Sequence, residues 1–377
     1  MSTTTTTEKT SEILIPSLPN DVALQCLARV PRQYHPVLSA VSKPIRSLVS
    51  SPDFFALRSA LNCTEHLLYF RIRSLNFQPA RWFTLYRRPN DNSVTGNIIM
   101  APVPGTPNDR LDWSEYVAEG PKIYVLGGKL GRNNSAEVWI FDCRFHKWER
   151  GPSMPPARKF GARAVVHDGM IYVFGHVTTE GSWADVFDTV TGSWEALLSP
   201  ELKVYNKSVV GCGIRGGKVC VWVNGEELRF DPVTKTWEVL RLGMPWFSHI
   251  CDVNGVLCCY DDHINTFKGF DEEGGVWKQL KLENGGFSNP SLNPNQLLVY
   301  WMANAGGRLV IMGVLRDEHG SSELEGRMGV WCVEIEVKKD TAGDFRGEVL
   351  WSLMVFSMRA WLFDRASSFN TCIPVSL

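Results

Sequence analysis

No stretch of this 377-residue chain approaches the roughly 20 consecutive apolar residues that a membrane helix requires. Neither sign of charge is in excess. Lys and Arg number 39 against 40 Asp and Glu, a formal net charge of -1. That balance gives no electrostatic reason to expect nucleic acid or an acidic membrane as partner. The ten cysteines include no C-x-x-C pair, and the eight histidines are scattered. Zinc needs ligands clustered at short spacings, so no metal site or cofactor is expected. The first twelve residues, MSTTTTTEKTSE, are polar and lack the apolar core of a signal peptide. They read as a disordered tail (1–12) on a non-secreted protein of nucleus or cytoplasm, whose thiols are reduced and buried.

What the sequence does have is a repeat. Phe-Asp, five residues and then Trp occurs as FDCRFHKW from Phe141, FDTVTGSW from Phe187, FDPVTKTW from Phe230 and FDEEGGVW from Phe270. The steps are 46, 43 and 40 residues, a period typical of propellers and other repeat arrays. An apolar run precedes each copy: IYVLGG from Ile123, IYVFGH from Ile171, VCVWVN from Val219 and VLCCYD from Val256. Four antiparallel strands per unit fit this order. The Asp accepts backbone N–H groups two or three residues on and so starts a tight turn. The Trp opens the next strand, where its ring can fill the wedge between neighbouring sheets. Gly127-Gly128 ends a central strand where chains crowd. Fainter copies lie at 66–90 and at 306–351. The count is six blades, with five or seven still compatible. The first blade lacks an innermost strand, which the last residues, SSFNTCIPVSL, can supply.

The Gly-Gly after a strand, the aromatic-Asp and the Trp six residues later resemble kelch repeats. WD repeats would put Trp-Asp at the strand end, and that dipeptide is absent. The resemblance implies a mainly β fold, a kelch-type β-propeller of four-stranded blades over 66–377, closed by the C-terminal strand.

Residues 13–61 have a helical apolar period instead, with Val22, Cys26 and Val30 four apart. Asn20 is the expected cap of a first helix. Ser42 before Pro44 and Ser51 before Pro52 are start signals for two later ones. Leu18-Pro19, Asp21-Val22, Cys26-Leu27 and Val41-Ser42-Lys43, followed by Arg46-Ser47-Leu48, resemble an F-box. An F-box followed by a kelch propeller is similar to the plant F-box/kelch-repeat proteins. The resemblance implies a non-catalytic substrate receptor of an SCF-type ubiquitin ligase. Its expected partners are a Skp-type adaptor, through it a cullin and a RING protein, and an unknown target protein.

For adaptor contact the F-box resemblance points to Leu18, Pro19, Val22, Leu27, Val30, Val41 and Ile45, each either interface or internal packing. For the target, the loops around the channel offer Arg132, Asn133, Asn134, Arg158, Lys159, Lys207 and Trp246. Arg, Asn and aromatic side chains suit an acidic or backbone-rich peptide. Two other classes stay open. One is a propeller scaffold without ubiquitin transfer. The other is a propeller enzyme, for which the histidines and carboxylates form no constellation.

Overall fold

The computed structural model describes residues 13–72, 81–87, 98–105, 107, 113–158, 162–175, 182–198, 200, 209–223, 226–241, 249–261, 263–283, 297–315, 327–359 and 369–377. Two compact units divide the chain, with the boundary between Glu65 and His66. Ser376–Leu377 belongs with the first unit and His66–Val375 forms the second.

The first unit is helical: α1 Asn20–Ala28, a 3₁₀ turn at Arg32–Tyr34, α2 His35–Val41, α3 Lys43–Val49 and α4 Pro52–Ala60. Ser42 and Ser51 cap α3 and α4, their hydroxyls accepting the N–H groups of Ile45 and Phe54 at 3.3 Å. Pro44 and Pro52 sit in the first turns, where no N–H is needed. Asn20 is not the cap of α1. Pro19 holds that position, and Asn20 Oδ1 accepts the N–H of Leu14 at 3.1 Å. Leu27, Ala28, Ile45, Val49 and Phe54 form the core. A buried Arg58 fastens the end of this unit. It donates to the carbonyls of Ala28 and Val30 at 2.7 Å and to that of Cys63 at 2.8 Å, and pairs with Glu65 at 3.3 Å. Glu65 and Leu377 exchange backbone hydrogen bonds of 2.7 and 2.9 Å, tying the last residue to this unit.

Among the described residues the second unit holds 24 strands, in four four-stranded sheets and one eight-stranded sheet that divides into two blades. The first blade orders β24 (Phe369–Ser376), β1 (His66–Ile72), β2 (Arg81–Arg87) and β3 (Ile98–Val103), so the chain's last strand lies beside its first. The second holds β4 (Glu115–Glu119), β5 (Lys122–Leu130), β6 (Asn133–Asp142) and β7 (Lys147–Gly151). The third holds β8 (Arg163–His167), β9 (Met170–Phe174), β10 (Ala184–Asp188) and β11 (Ser193–Leu197). The fourth holds β12 (Val209–Arg215), β13 (Lys218–Val223), β14 (Glu226–Asp231) and β15 (Thr236–Arg241). The fifth holds β16 (His249–Val253), β17 (Val256–Asp261), β18 (Thr266–Asp271) and β19 (Val276–Glu283). The sixth holds β20 (Leu297–Ala305), β21 (Arg308–Leu315), β22 (Arg327–Lys339) and β23 (Phe345–Arg359). Strands within the second to sixth blades pair antiparallel in chain order. The fifth and sixth blades also join edge to edge through a parallel pairing of β19 with β23, Leu280 opposite Phe345.

Apolar clusters fill the seams between blades. Tyr124, Leu126 and Ile140 meet Ile171, Val173 and Phe187 between the second and third. Leu68, Phe70 and Leu85 meet Val310, Val330 and Trp351 between the sixth and first, so the last blade packs on the first.

The repeated motif has one geometry. The Phe and Trp face each other across the third and fourth strands, Phe141↔Trp148 and Phe230↔Trp237 among them. Asp188 Oδ1 accepts the N–H of Val190 at 2.8 Å and of Thr191 at 3.1 Å. Asp231 Oδ1 does the same for Val233 and Thr234, at 2.9 and 3.2 Å. These bonds to the charged form hold both carboxyls below the usual range. Asp271 departs from the pattern and pairs with Lys278 and Lys339 at 2.8 and 3.1 Å. Four residues after the Asp, each turn takes a left-handed residue: His146, Gly192, Lys235 and Gly275, at φ 52°, 71°, 55° and 62°. The Trp indole then reaches the preceding linker. Trp148, Trp194 and Trp237 donate to the carbonyls of Pro104, Pro152 and Leu198 at 3.0, 3.0 and 2.8 Å.

Candidate functional site: two binding faces

The helical unit sorts its seven candidates by burial. Leu27 and Ile45 are 5% and 4% exposed and belong to the core, not to a docking face. Val30 lies beyond the end of α1 and is half-buried. Leu18 and Val22 are each 40% exposed, Val41 is 64% exposed, and Pro19 is also exposed. Residues not foreseen join them. Val37 on α2 is 65% exposed, and Tyr34, Pro36 and Cys26 are exposed as well. Spacing explains the sorting. Val37 and Val41 are one helical turn apart and share a face, as do Val22 and Cys26. The opposite sides of these helices supply the core. Leu18, Val22, Tyr34, Val37 and Val41 are thus left in water on this small unit.

In the strand unit, antiparallel order puts two kinds of connection at opposite ends of each blade. The short Asp-fixed turns join third to fourth strands at one end. The second-to-third hairpins and the linkers to the next blade lie at the other. Arg132, Asn133 and Asn134 stand on this second end, at the β5–β6 hairpin. There Leu130 pairs with Asn133 around Gly131-Arg132, and Gly131 has φ 63°. Arg132 and Asn133 are exposed, and Asn134 is half-buried. Gly127 bends β5 on the way, and a Cβ there would meet Met154 Cε at 2.7 Å. Lys159, Lys207 and Trp246 lie outside the described residues.

Arg158 requires a correction. Expected on an exposed loop, it is 2% exposed. Its guanidinium pairs with Asp185, itself 1% exposed, and donates to the carbonyls of Gly175, of Trp183 at 3.0 Å and of Ser182 at 3.3 Å. It staples the incoming linker to the β9–β10 connection and presents no free fork to a partner. Burial pushes the Asp185 carboxyl up, against the pull of Arg158.

Three polar residues gather at the same end, Glu115 and Arg163 unforeseen and His249 expected as a satisfied strand histidine. Glu115, Arg163 and His249 each stand opposite the end of a central strand, paired with Leu126, Phe174 and Tyr260. They are the same position of three blades. The fourth blade has Gly211 there, opposite Trp222, and a Cβ on it would strike Ile250 Cγ2 at 2.6 Å. Arg163 Nη1 pairs with Glu115 at 3.6 Å and its Nε donates to Val210 O at 3.4 Å. Desolvation raises the Glu115 carboxyl although Arg163 opposes it. Desolvation, with Arg163 second, pushes His249 down to about 4. Trp113, at φ 59° and exposed, precedes Glu115 on the incoming linker. The signal for this group was in the sequence: Glu115 and Arg163 each precede their IY-V run by eight residues.

This end therefore offers a cation, a carboxylate, a neutral imidazole and an exposed indole, which suits recognition of a peptide segment. Burial pushes the Cys258 thiol up to about 12 and those of Cys212, Cys251 and Cys259 well up, so these sulfurs stay protonated and are poor nucleophiles.

Comparison with known proteins identifies both units. A family model described as "FKB95, Kelch-repeats domain" matches residues 82–356, and one described as "F-box domain" matches residues 15–57. An F-box/kelch-repeat protein of Arabidopsis thaliana is 32% identical, covering 89% of this chain and 88% of its own length. A second from that plant is 33% identical over 91% of this chain and 92% of its own length. A third is 34% identical, with 89% and 85% covered. The chain belongs to the F-box/kelch-repeat family.

Proposed function

We propose that the protein is the substrate-recognition subunit of an SCF-type ubiquitin ligase, with no bond chemistry of its own. The helical unit docks on a Skp-type adaptor and, through it, on a cullin and a RING protein. The strand unit holds a target protein near the ubiquitin-loaded enzyme. Its contribution is proximity, which turns a bimolecular transfer into an effectively intramolecular one. The observation that carries this reading is the exposed apolar set Leu18, Pro19, Val22, Val37 and Val41, in the segment that matches the F-box.

The target face in this reading is the loop end of the ring. Arg132, Asn133 and Asn134 sit at its edge, and Trp113, Glu115 and Arg163 near its middle. A segment carrying acidic side chains or free backbone carbonyls suits these donors.

The test is a pull-down of purified adaptor, read beside a thermal melt. Val22→Glu with Val41→Glu places charge on the exposed set, so adaptor capture is lost and the melt is unchanged. Ile45→Ala opens the core instead and costs about 2–4 kcal/mol of stability. Full adaptor capture by the double Glu variant would refute the receptor reading and favour a scaffold that binds without ubiquitin transfer.

A further inference from the structure

Blades two to five carry the same corner pair. Phe141–Trp148, Phe187–Trp194, Phe230–Trp237 and Phe270–Trp277 have ring centroids 4.6 to 5.1 Å apart. The pair fills the seam toward the preceding blade. Trp148 meets Trp82 of the first blade at 5.7 Å, and Trp237 meets Trp183 of the third at 6.1 Å. The first blade has no such pair among the described residues. Across β2 and β3 it sets Leu85 opposite Met100, and both pack into the seam toward the sixth blade.

Of these two, Leu85 borders open space at that seam. The seam holds a cavity of about 330 Å³, lined among others by His66, Leu68, Leu85, Arg308, Glu334 and Trp351. The cleft is open to solvent, and small-molecule sites begin at about 300 Å³. Leu68, Leu85 and Val310 make one side apolar, and the largely buried Trp351 adds a flat wall. The Trp351 indole N–H donates to Glu334, which also takes Arg308 Nη1 at 2.8 Å. Both Glu334 oxygens are therefore engaged. Arg308 is 46% exposed at its side chain, and this bond uses one of its five N–H donors. The exposed His66 lies against Gly306, where an added Cβ would stand 3.2 Å from its Nε2. The polar part of the lining is thus rich in donors and the rest is apolar.

We propose that this seam is a binding site for a small, flat, apolar molecule carrying one carboxylate. The body lies between Leu85 and Trp351, and Arg308 takes the acid. Leu85 stands where the repeat places a Phe and borders the space, so the site belongs to the first blade's seam and not to the repeat.

The test is isothermal titration calorimetry on the purified full chain, with 2-naphthoate as probe and 2-naphthylmethylamine as its cationic counterpart. The acid binds saturably with a dissociation constant below about 1 mM, and the amine at least about ten-fold more weakly. Leu85→Phe with Met100→Trp restores the corner pair, abolishes acid binding and leaves the protein folded. Arg308→Ala, a change at an exposed side chain, weakens the acid about ten-fold at an unchanged melting temperature. No saturable binding by the parent, equal affinity for the amine, or an Arg308→Ala affinity within two-fold of the parent would overturn the assignment. So would parental affinity in a filled variant that melts as a folded protein. Adaptor pull-down is read separately, so failure here leaves the receptor reading untouched.

Discussion

Arg158→Ala separates a scaffold residue from a recognition residue more sharply than any other single change in the ring. The side chain is 2% exposed and its partner Asp185 is 1% exposed, so solvent screens neither. Removing the guanidinium leaves a buried carboxylate without its cation, a loss of about 3–5 kcal/mol. The carbonyls of Gly175, Ser182 and Trp183 lose a donor at the same time, although Trp183 O keeps the N–H of Gly175 at 3.0 Å. A domain is stable by about 5–15 kcal/mol, so the variant forfeits a large share of the whole. The loss also acquires a pH dependence. Without Arg158, burial alone acts on Asp185 and raises its folded-state pKa further above the unfolded value. A raised carboxyl favours the folded state below the unfolded pKa, and this advantage disappears as pH rises through the folded one. The deficit of the variant against the parent is therefore larger at pH 8 than at pH 5. Arg158→Met with Asp185→Leu removes both charges, recovers most of the loss and flattens the pH dependence. Urea melts followed by tryptophan fluorescence at both pH values measure all of this. A deficit of less than about 1 kcal/mol, together with lost target capture, would refute the buried-staple account and return Arg158 to the binding face.

Trp237→Ala removes a half-buried ring that packs on Phe230 at 5.0 Å and donates to Leu198 O, so stability falls by about 2–3 kcal/mol in a denaturant melt. Lys235→Gly relieves a left-handed backbone at φ 55°, which Gly192 and Gly275 already relieve in two other turns. A gain of about 0.5–1 kcal/mol is expected, and a loss would show that the Lys side chain stabilises the turn. His249 is held down at about 4 by burial and by Arg163, so its neutral form favours the folded state. That contribution is complete above about 6.5 and is lost as pH falls through about 4. His249→Gln should melt at more nearly the same temperature at pH 7 and pH 4.5 than the parent does.

The motif FD-x5-W was legible because one physical need recurs. The third and fourth blades use the Asp as acceptor for two turn N–H groups, and blades two to five use a ring large enough for a wedge-shaped seam. The serine caps at Ser42 and Ser51 were legible for the same reason, since a helix end always leaves N–H groups to satisfy. Asn20 misled because it carries the right chemistry one position late, and its oxygen serves Leu14 instead. Leu27 and Val22 could not be told apart by periodicity, because a small helical unit has apolar residues on more than one side. Arg158 misled for a different reason. Arginine is rarely buried, and its partner Asp185 lies 27 residues away, where only the fold brings them together. The position shared by Glu115, Arg163 and His249 was open to inspection, but chemical diversity hid it. A search for conserved type within the repeat finds Phe, Asp and Trp and passes over positions where each blade differs.

That contrast explains how the ring divides its work. The end with the Asp-fixed turns repeats because backbone geometry fixes what each corner must supply. A change there alters stability, as Asp231 and Trp237 show through their turn bonds and ring contacts. The opposite end carries Arg132 on a two-residue hairpin turn, and Glu115, Arg163 and His249 on inner strands whose backbone is already paired. Side chains there can change without disturbing the ladder within a blade, although Glu115 also accepts the N–H of Ala164 across the seam at 3.2 Å. The sixth-to-first seam follows the same rule from the other side. Leu85 and Met100 keep their backbone pairing, so the blade folds without its corner rings, and Leu85 borders open space where the repeat places a Phe.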